Sequence, residues 1–207
     1  MPYQNRVDPW GNLVAVQARG AWHGNRGILH NDKQEIVAPW RHKAWIICQL
    51  EFKGRQRKVF SPNTYSELFF LDEATAFSAG HRPCAECRRQ RYNEFKVAWC
   101  DSNPEYGSRS MPVSRIDQQL HKERAQRGGI KVSYQSEFQQ LPDGVFLELN
   151  STAVLIWKER IWQWTFQGYQ LIDFHPKAAD SVTVLTPASI VKLFRTGFTP
   201  QVHSSIA

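Results

Sequence analysis

The sequence has no apolar run approaching the roughly 18 residues that would span a bilayer. Its opening, MPYQNRVDPWGN, lacks the apolar stretch of a secretion signal, so no signal peptide is expected. Cysteine is scarce, at four in 207 residues, too few for a disulfide framework. A cytoplasmic protein with reduced thiols and no membrane partner is therefore expected. There is no internal repeat and no low-complexity tract. The glycines at 20, 24 and 27 do not form a G-x-x-x-x-G-K-[ST] loop, and no strand-turn-helix context supports a dinucleotide fingerprint.

What is present is the composition of a globular chain. Apolar residues make up 42% and charged residues 22%, enough apolar content at this length for a real core without covalent staples. Lys and Arg number 26 against 19 Asp and Glu, a formal net charge of +7. That excess is uneven: residues 1–96 carry +6 and residues 97–207 only +1. A polyanionic partner would meet the first half.

The stretch 101–113, DSNPEYGSRSMPV, holds two prolines, a glycine and little apolar content, and reads as a linker. It divides the chain into a basic domain, 1–100, and a second domain, 114–207. In the first, strands are expected at 13–18, 44–52 and 68–71, with 57–60 pairing back across Lys53-Gly54. Asp72 is placed to cap a short helix that ends at Gly80. A longer helix is expected from about 85 to 100, with Tyr92, Phe95 and Trp99 on one stripe. In the second, a helix capped by Ser114 and Asp117 precedes strands at 131–134, 145–149, 153–158, 161–166 and 182–185. A last helix opens at Thr186-Pro187. The expected class is α+β: an N-terminal zinc-knuckle-like α/β domain, then a β-rich domain flanked by helices.

The sharpest local signal is HRPCAECRR. Cys84 and Cys87 have the C-x2-C spacing at which two thiolates bite one metal ion, and a helix N-terminus favours the thiolate. Such a pair is half of a tetrahedral site. Candidates for the remaining positions are Cys48, His30, His42, His23 and Cys100, ranked Cys48 first, then His30, then His42. Cys100 lies roughly 20 Å along the expected helix and is read as a plain thiol. Zinc is the expected metal.

The stretch SELFFLDEATAFSAGHRPCAECRR, Ser66 to Arg89, resembles the end of the N-terminal zinc domain of Ada-type DNA-repair methyltransferases. The resemblance implies that Cys84 and Cys87 are zinc ligands and that the domain binds DNA. Arg82 matches the family's Arg before Pro, and His81 stands where an aromatic is usual. The family's other cysteine pair, which includes the methyl acceptor, has no counterpart. The corresponding region, EFKGRQRKVF, has Lys53 and Arg57 at the approximate places. Methyl transfer by that route is not expected.

Basic residues form the second signal. Arg55, Arg57 and Lys58 follow a tight turn, and Arg82, Arg88, Arg89 and Arg91 surround the cysteine pair. Together they are the candidate nucleic-acid face, because guanidinium groups contact phosphate bidentately; the Ada-like resemblance implies DNA over RNA. Cations at a helix N-terminus oppose its dipole, so a nearby anion or carboxylate is anticipated. The third signal is GAWHGNRGILH. It reads chiefly as a structural turn, or as an active-site loop with His23 or His30 as general base and Arg26 as an oxyanion holder. His121-x-Glu123 follows the P-C-x-x-C element rather than preceding it, so a zinc deaminase is not expected. Trp157, Trp162, Trp164 and Tyr169 are read as core before they are read as a base-stacking platform. The leading expectation is a nucleic-acid-binding protein with a structural zinc. The alternatives are a hydrolase or nuclease at the Gly20–His30 loop and a protein-interaction module with a structural metal.

Overall fold

The computed structural model describes residues 1–55 and 58–206. Among these residues, two six-stranded sheets and four α-helices make an α+β protein. The first half contributes β1 (Gln4–Val7), β2 (Leu13–Ala15), β3 (Trp22–Asn25), β4 (Ile46–Cys48), β5 (Leu68–Phe70), α1 (Glu73–Ser78), β6 (Arg82–Pro83) and α2 (Arg89–Ser102). The second contributes α3 (Val113–Arg124), β7 (Tyr134–Glu137), β8 (Phe146–Leu149), β9 (Thr152–Trp157), β10 (Arg160–Thr165), β11 (Gly168–Leu171), β12 (Ser181–Val184) and α4 (Ala188–Arg195). No helix among the described residues is long and apolar enough to cross a membrane.

The first sheet is mixed, in the order β2-β1-β5-β3-β4-β6, with β1–β5 and β4–β6 parallel. Pro83 lies in β6, at the edge, where the missing N–H costs no ladder bond. The second sheet is antiparallel throughout, in the order β11-β10-β9-β8-β12-β7. Its inward residues Trp157, Trp162, Trp164 and Tyr169 are buried, as core, in a cluster with Leu71 and Ala74 of the first half.

Several expectations were altered by packing. The glycine-rich segment is not a turn but contains strand β3. A Cβ on Gly20 would lie 2.5 Å from the Phe70 carbonyl oxygen, and one on Gly24 would lie 2.2 Å from that of Ile46. Glycine is there because backbones approach closely on both sides. Residues 58–60 are not strand, and Arg57 lies outside the described residues. Helix α2 begins at Arg89 instead of 85, since 85–88 form a turn that follows Cys84 and carries Cys87. Helix α3 has no side-chain cap, and Asp117, expected to help cap it, binds Arg82 through both carboxylate oxygens at 2.6 and 2.8 Å. Asp72 does cap α1. Its Oδ1 accepts from the Thr75 N–H at 2.8 Å, and its Oδ2 accepts from the Tyr169 hydroxyl at 2.7 Å and the His203 N–H at 3.0 Å.

The stretch 101–113 does not separate two cores. Asp101 and Ser102 finish α2, 104–106 form a 3-10 turn and Met111 is buried. One hydrophobic cluster joins Ile47, Phe70, Phe77, Phe95 and Trp99 to Leu147, Ile156, Ile190 and Phe194. The proposed boundary between 1–100 and 114–207 therefore cuts through a shared interior.

Candidate metal centre

Three of the four cysteines meet. Strand β4 runs parallel to β6 with Ile46 opposite Arg82 and Ile47 opposite Pro83. The next step along both strands brings Cys48 level with Cys84. The Cys84 N–H donates to the Ile47 carbonyl at 2.9 Å and holds that register. The chain then turns. The Arg88 N–H donates to the Cys84 carbonyl at 3.2 Å, and the Glu86 N–H reaches the Cys84 Sγ at 3.4 Å. This turn brings Cys87 back, and the three Sγ atoms lie within 4.8 Å of one another. Tetrahedral zinc with Zn–S bonds of about 2.3 Å separates its sulfurs by roughly 3.8 Å. A contraction of at most about 1 Å would let all three bind one ion.

Crowding of the thiols sets their acidity. Hydrogen bonds from Cys48 and then Cys87 pull Cys84 down to about 2, assisted by the Cys87 and Glu86 backbone N–H groups. Cys48 is pushed far up, because its S–H donates to Cys84 and Cys87 and a second negative charge would repel the first. A divalent cation removes that conflict by neutralising the thiolates it binds. The Cys48/Cys84/Cys87 cluster can bind a metal ion, and soft thiolate ligands suit zinc and other thiophilic ions.

The cysteines line a cavity of about 260 Å³. His23 pairs with Cys48 across the antiparallel β3–β4 ladder, so His23, Cys48 and Cys84 occupy one row across the sheet. Glu67, Tyr65 and Phe69 also line it. Glu67 is buried. Its Oε2 accepts the Phe60 N–H at 2.9 Å, while its Oε1 has no hydrogen-bond partner among the described residues. Sequence reasoning missed Glu67, Tyr65 and Asn25. The usable signal was a carboxylate placed immediately before the apolar run Leu68–Leu71, where a solvated acid is out of place.

The other predicted residues disperse. His30 is not part of the cluster: its Nδ1 meets the Ser66 hydroxyl at 2.7 Å, its Nε2 meets the Ser61 carbonyl at 3.2 Å, and its ring stacks on Phe60. With both nitrogens engaged, it is poorly placed as ligand or base. Of the three catalytic candidates, only His23 lines the cysteine cavity. Arg26 lines a separate cavity, and His30 lines a third. His42 also lies apart from the cysteines, and Cys100 is buried in the shared core.

The proposed nucleic-acid face is largely spent on internal ion pairs. Arg82 holds Asp117. Arg88 and Arg91 both hold Glu73, at 2.7 and 2.8 Å, and Glu73 is the carboxylate anticipated beside the cationic start of α2. Arg55 pairs with Glu86 at the surface, 2.6 Å away. Lys58 and Arg89 are exposed, and Arg57 lies outside the described residues.

No protein-family model matches the chain, and neither a curated protein nor a solved structure matches it.

Proposed function

We propose that the chain is a zinc protein whose ion is held by Cys48, Cys84 and Cys87, and that it is a hydrolase acting on a small substrate in the adjoining cavity. The observation that carries this reading is the placement of three convergent thiols on a cavity wall instead of in a closed knuckle. Three protein ligands with a fourth position open is the arrangement of catalytic zinc, whereas structural zinc is closed by four. Bound zinc supplies a Lewis acid and lowers the pKa of water at its open position. Glu67 lines the same cavity and has a buried carboxylate oxygen without a partner among the described residues; its carboxylate would take up the proton released from water and return it to the leaving group. His23 stands beside Cys48 and would orient the substrate. Phe69 and Phe52 supply apolar walls.

Cobalt(II) substitution tests this without knowledge of the substrate. Thiolate-to-metal absorption is expected at one cobalt per chain, and azide or cyanide should shift the spectrum by occupying the open position. A cobalt spectrum indifferent to both anions, with affinity lost in His23→Ala, would identify His23 as a fourth ligand and the site as structural. Nucleic-acid binding by an Ada-like zinc domain is the second reading, supported by the +7 charge and by exposed Lys58 and Arg89. It predicts duplex binding that weakens steeply with salt and fails in the Lys58→Ala/Arg89→Ala double variant.

A further inference from the structure

A second cavity, of about 360 Å³, shares no wall residue with the one over the cysteines. Trp10, Trp40, Trp45 and Pro39 give it aromatic and apolar walls, and Arg26 and Arg124 line it as well. Both guanidinium groups stack on Trp45, each 3.9 Å from the ring centre. Both side chains are almost wholly buried, at 1% exposure.

Among the described residues, neither arginine has a carboxylate in an ion pair. Arg26 donates Nε–H to His81 Nε2 at 3.2 Å and Nη1–H to the Gly11 carbonyl at 2.8 Å. Arg124 donates to the carbonyls of Gly80 and Lys43, both at 2.6 Å. That leaves Arg26 Nη2 and Arg124 Nε buried with no partner among the described residues. An unsatisfied donor on a buried charge is costly, and native proteins rarely leave one.

The local charge is also unbalanced. The charged groups acting on this pair are Arg82, Lys131, Asp8 and Asp117. Asp117 is consumed by Arg82 in a bidentate pair. Asp8, whose oxygens accept from Asn12, is the carboxylate that acts on Arg26 and Lys131 among the described residues. Burial pushes Lys131 to about 7, so at neutral pH it carries part of a charge. His81 is held neutral by burial and by the two arginines. Between one and two positive charges remain without a counter-charge. Backbone carbonyls satisfy hydrogens but cannot cancel a whole charge.

We propose that this cavity binds a small organic dianion, a phosphate monoester or a dicarboxylate, through Arg26 and Arg124, with the rest of the ligand against the tryptophans. Guanidinium forks recognise both kinds of anionic oxygen, and the flat indole walls suit a ring or short carbon chain. Gly11 lies at the arginine. A Cβ there would come 3.5 Å from Arg26 Nη2, and its positive φ of 94° favours glycine, so the backbone packs beside this donor without a side chain.

Isothermal calorimetry on the full chain, with inorganic phosphate and malonate as probes and chloride at matched ionic strength as control, tests the site. One-to-one saturable binding is expected for phosphate or malonate, at least tenfold tighter than any chloride effect. The stronger of the two identifies the ligand class. Arg26→Gln should weaken it tenfold or more. If that variant does not fold, Ala125→Leu, which narrows the cavity wall and keeps both arginines, should weaken it comparably. No saturable heat with either anion in the unaltered chain would overturn the proposal. So would undiminished affinity in a folded Arg26→Gln variant, or in Ala125→Leu where Arg26→Gln does not fold. The readout involves neither zinc nor hydrolysis, so its failure leaves the metal centre untouched.

Discussion

Glu73 anchors three parts of the chain through two carboxylate oxygens. Arg88 and Arg91 tie it to the start of α2, and the Gln201 N–H, at 3.0 Å, ties it to the C-terminal segment. Its own side chain is fully buried, and so, nearly, is that of Arg88. Glu73→Ala leaves a buried guanidinium without its counter-ion and is expected to cost about 3–5 kcal/mol, read from the denaturant midpoint at unchanged m-value. Lys131 makes the opposite case, a half-buried cation whose folded pKa of about 7 lies below its ordinary 10.5. Desolvation is the main cause, with Arg26 and Arg124 repelling it and Asp8 opposing them. Between these two pH values the unfolded chain holds a proton that the folded chain has released. This group therefore makes stability rise as pH climbs from 7 toward 10.5. The slope difference between the unaltered chain and Lys131→Met, measured by unfolding at several pH values, should be positive across that window and vanish above it. Both residues were visible in the sequence as charges. What hid their roles is that burial and partner are set by segments far along the chain.

At the scale of elements, legibility followed locality. The cap of α1 was readable because Asp72 and Thr75 are three residues apart. The apolar runs of β8, β9 and β10 were readable because alternation and turns are local. Strand β3 was not, because its glycines answer to Phe70 and Ile46 on neighbouring strands. Gly24→Ala would drive a methyl group into the Ile46 carbonyl and is expected to cost about 3 kcal/mol by overpacking. It should also weaken metal retention, since the β3–β4 ladder holds Cys48 in place. Circular dichroism melts and metal content of the purified variant check both outcomes; unchanged stability would mean that β3 is free to shift away from β4. The C-x2-C element was readable from spacing. Cys48 could be ranked as its partner, but the parallel β4–β6 register that delivers it is a long-range pairing with no local signature. His30 was misplaced for the same reason: Ser66 and Ser61, which occupy its ring, lie more than 30 residues away.

At the scale of the whole molecule, the α+β class was legible from alternating helical and strand periods, while the division at 101–113 was not supported by the packing. Composition marked that stretch as polar. The core joining Phe77 and Phe95 to Phe194 and Phe198 is invisible until the halves are docked. Residues 1–100 expressed alone would expose those rings, and no cooperative thermal transition is expected of the fragment, whereas the full chain should melt in a single one. The regional charge of +6 changes meaning at this scale as well. Arg82, Arg88 and Arg91 pair with buried carboxylates and Arg26 lies at the Trp45 cavity, while Lys43, Lys53, Lys58 and Arg89 stay exposed.

The central claim is the three-thiolate centre. It is tested most directly by metal analysis of the chain purified without added metal, alongside Cys48→Ser and Cys100→Ser. One zinc per chain, retained in Cys100→Ser and lost or sharply weakened in Cys48→Ser, is the predicted result. Absence of stoichiometric metal from the unaltered chain, together with failure to take up zinc on titration, would contradict it.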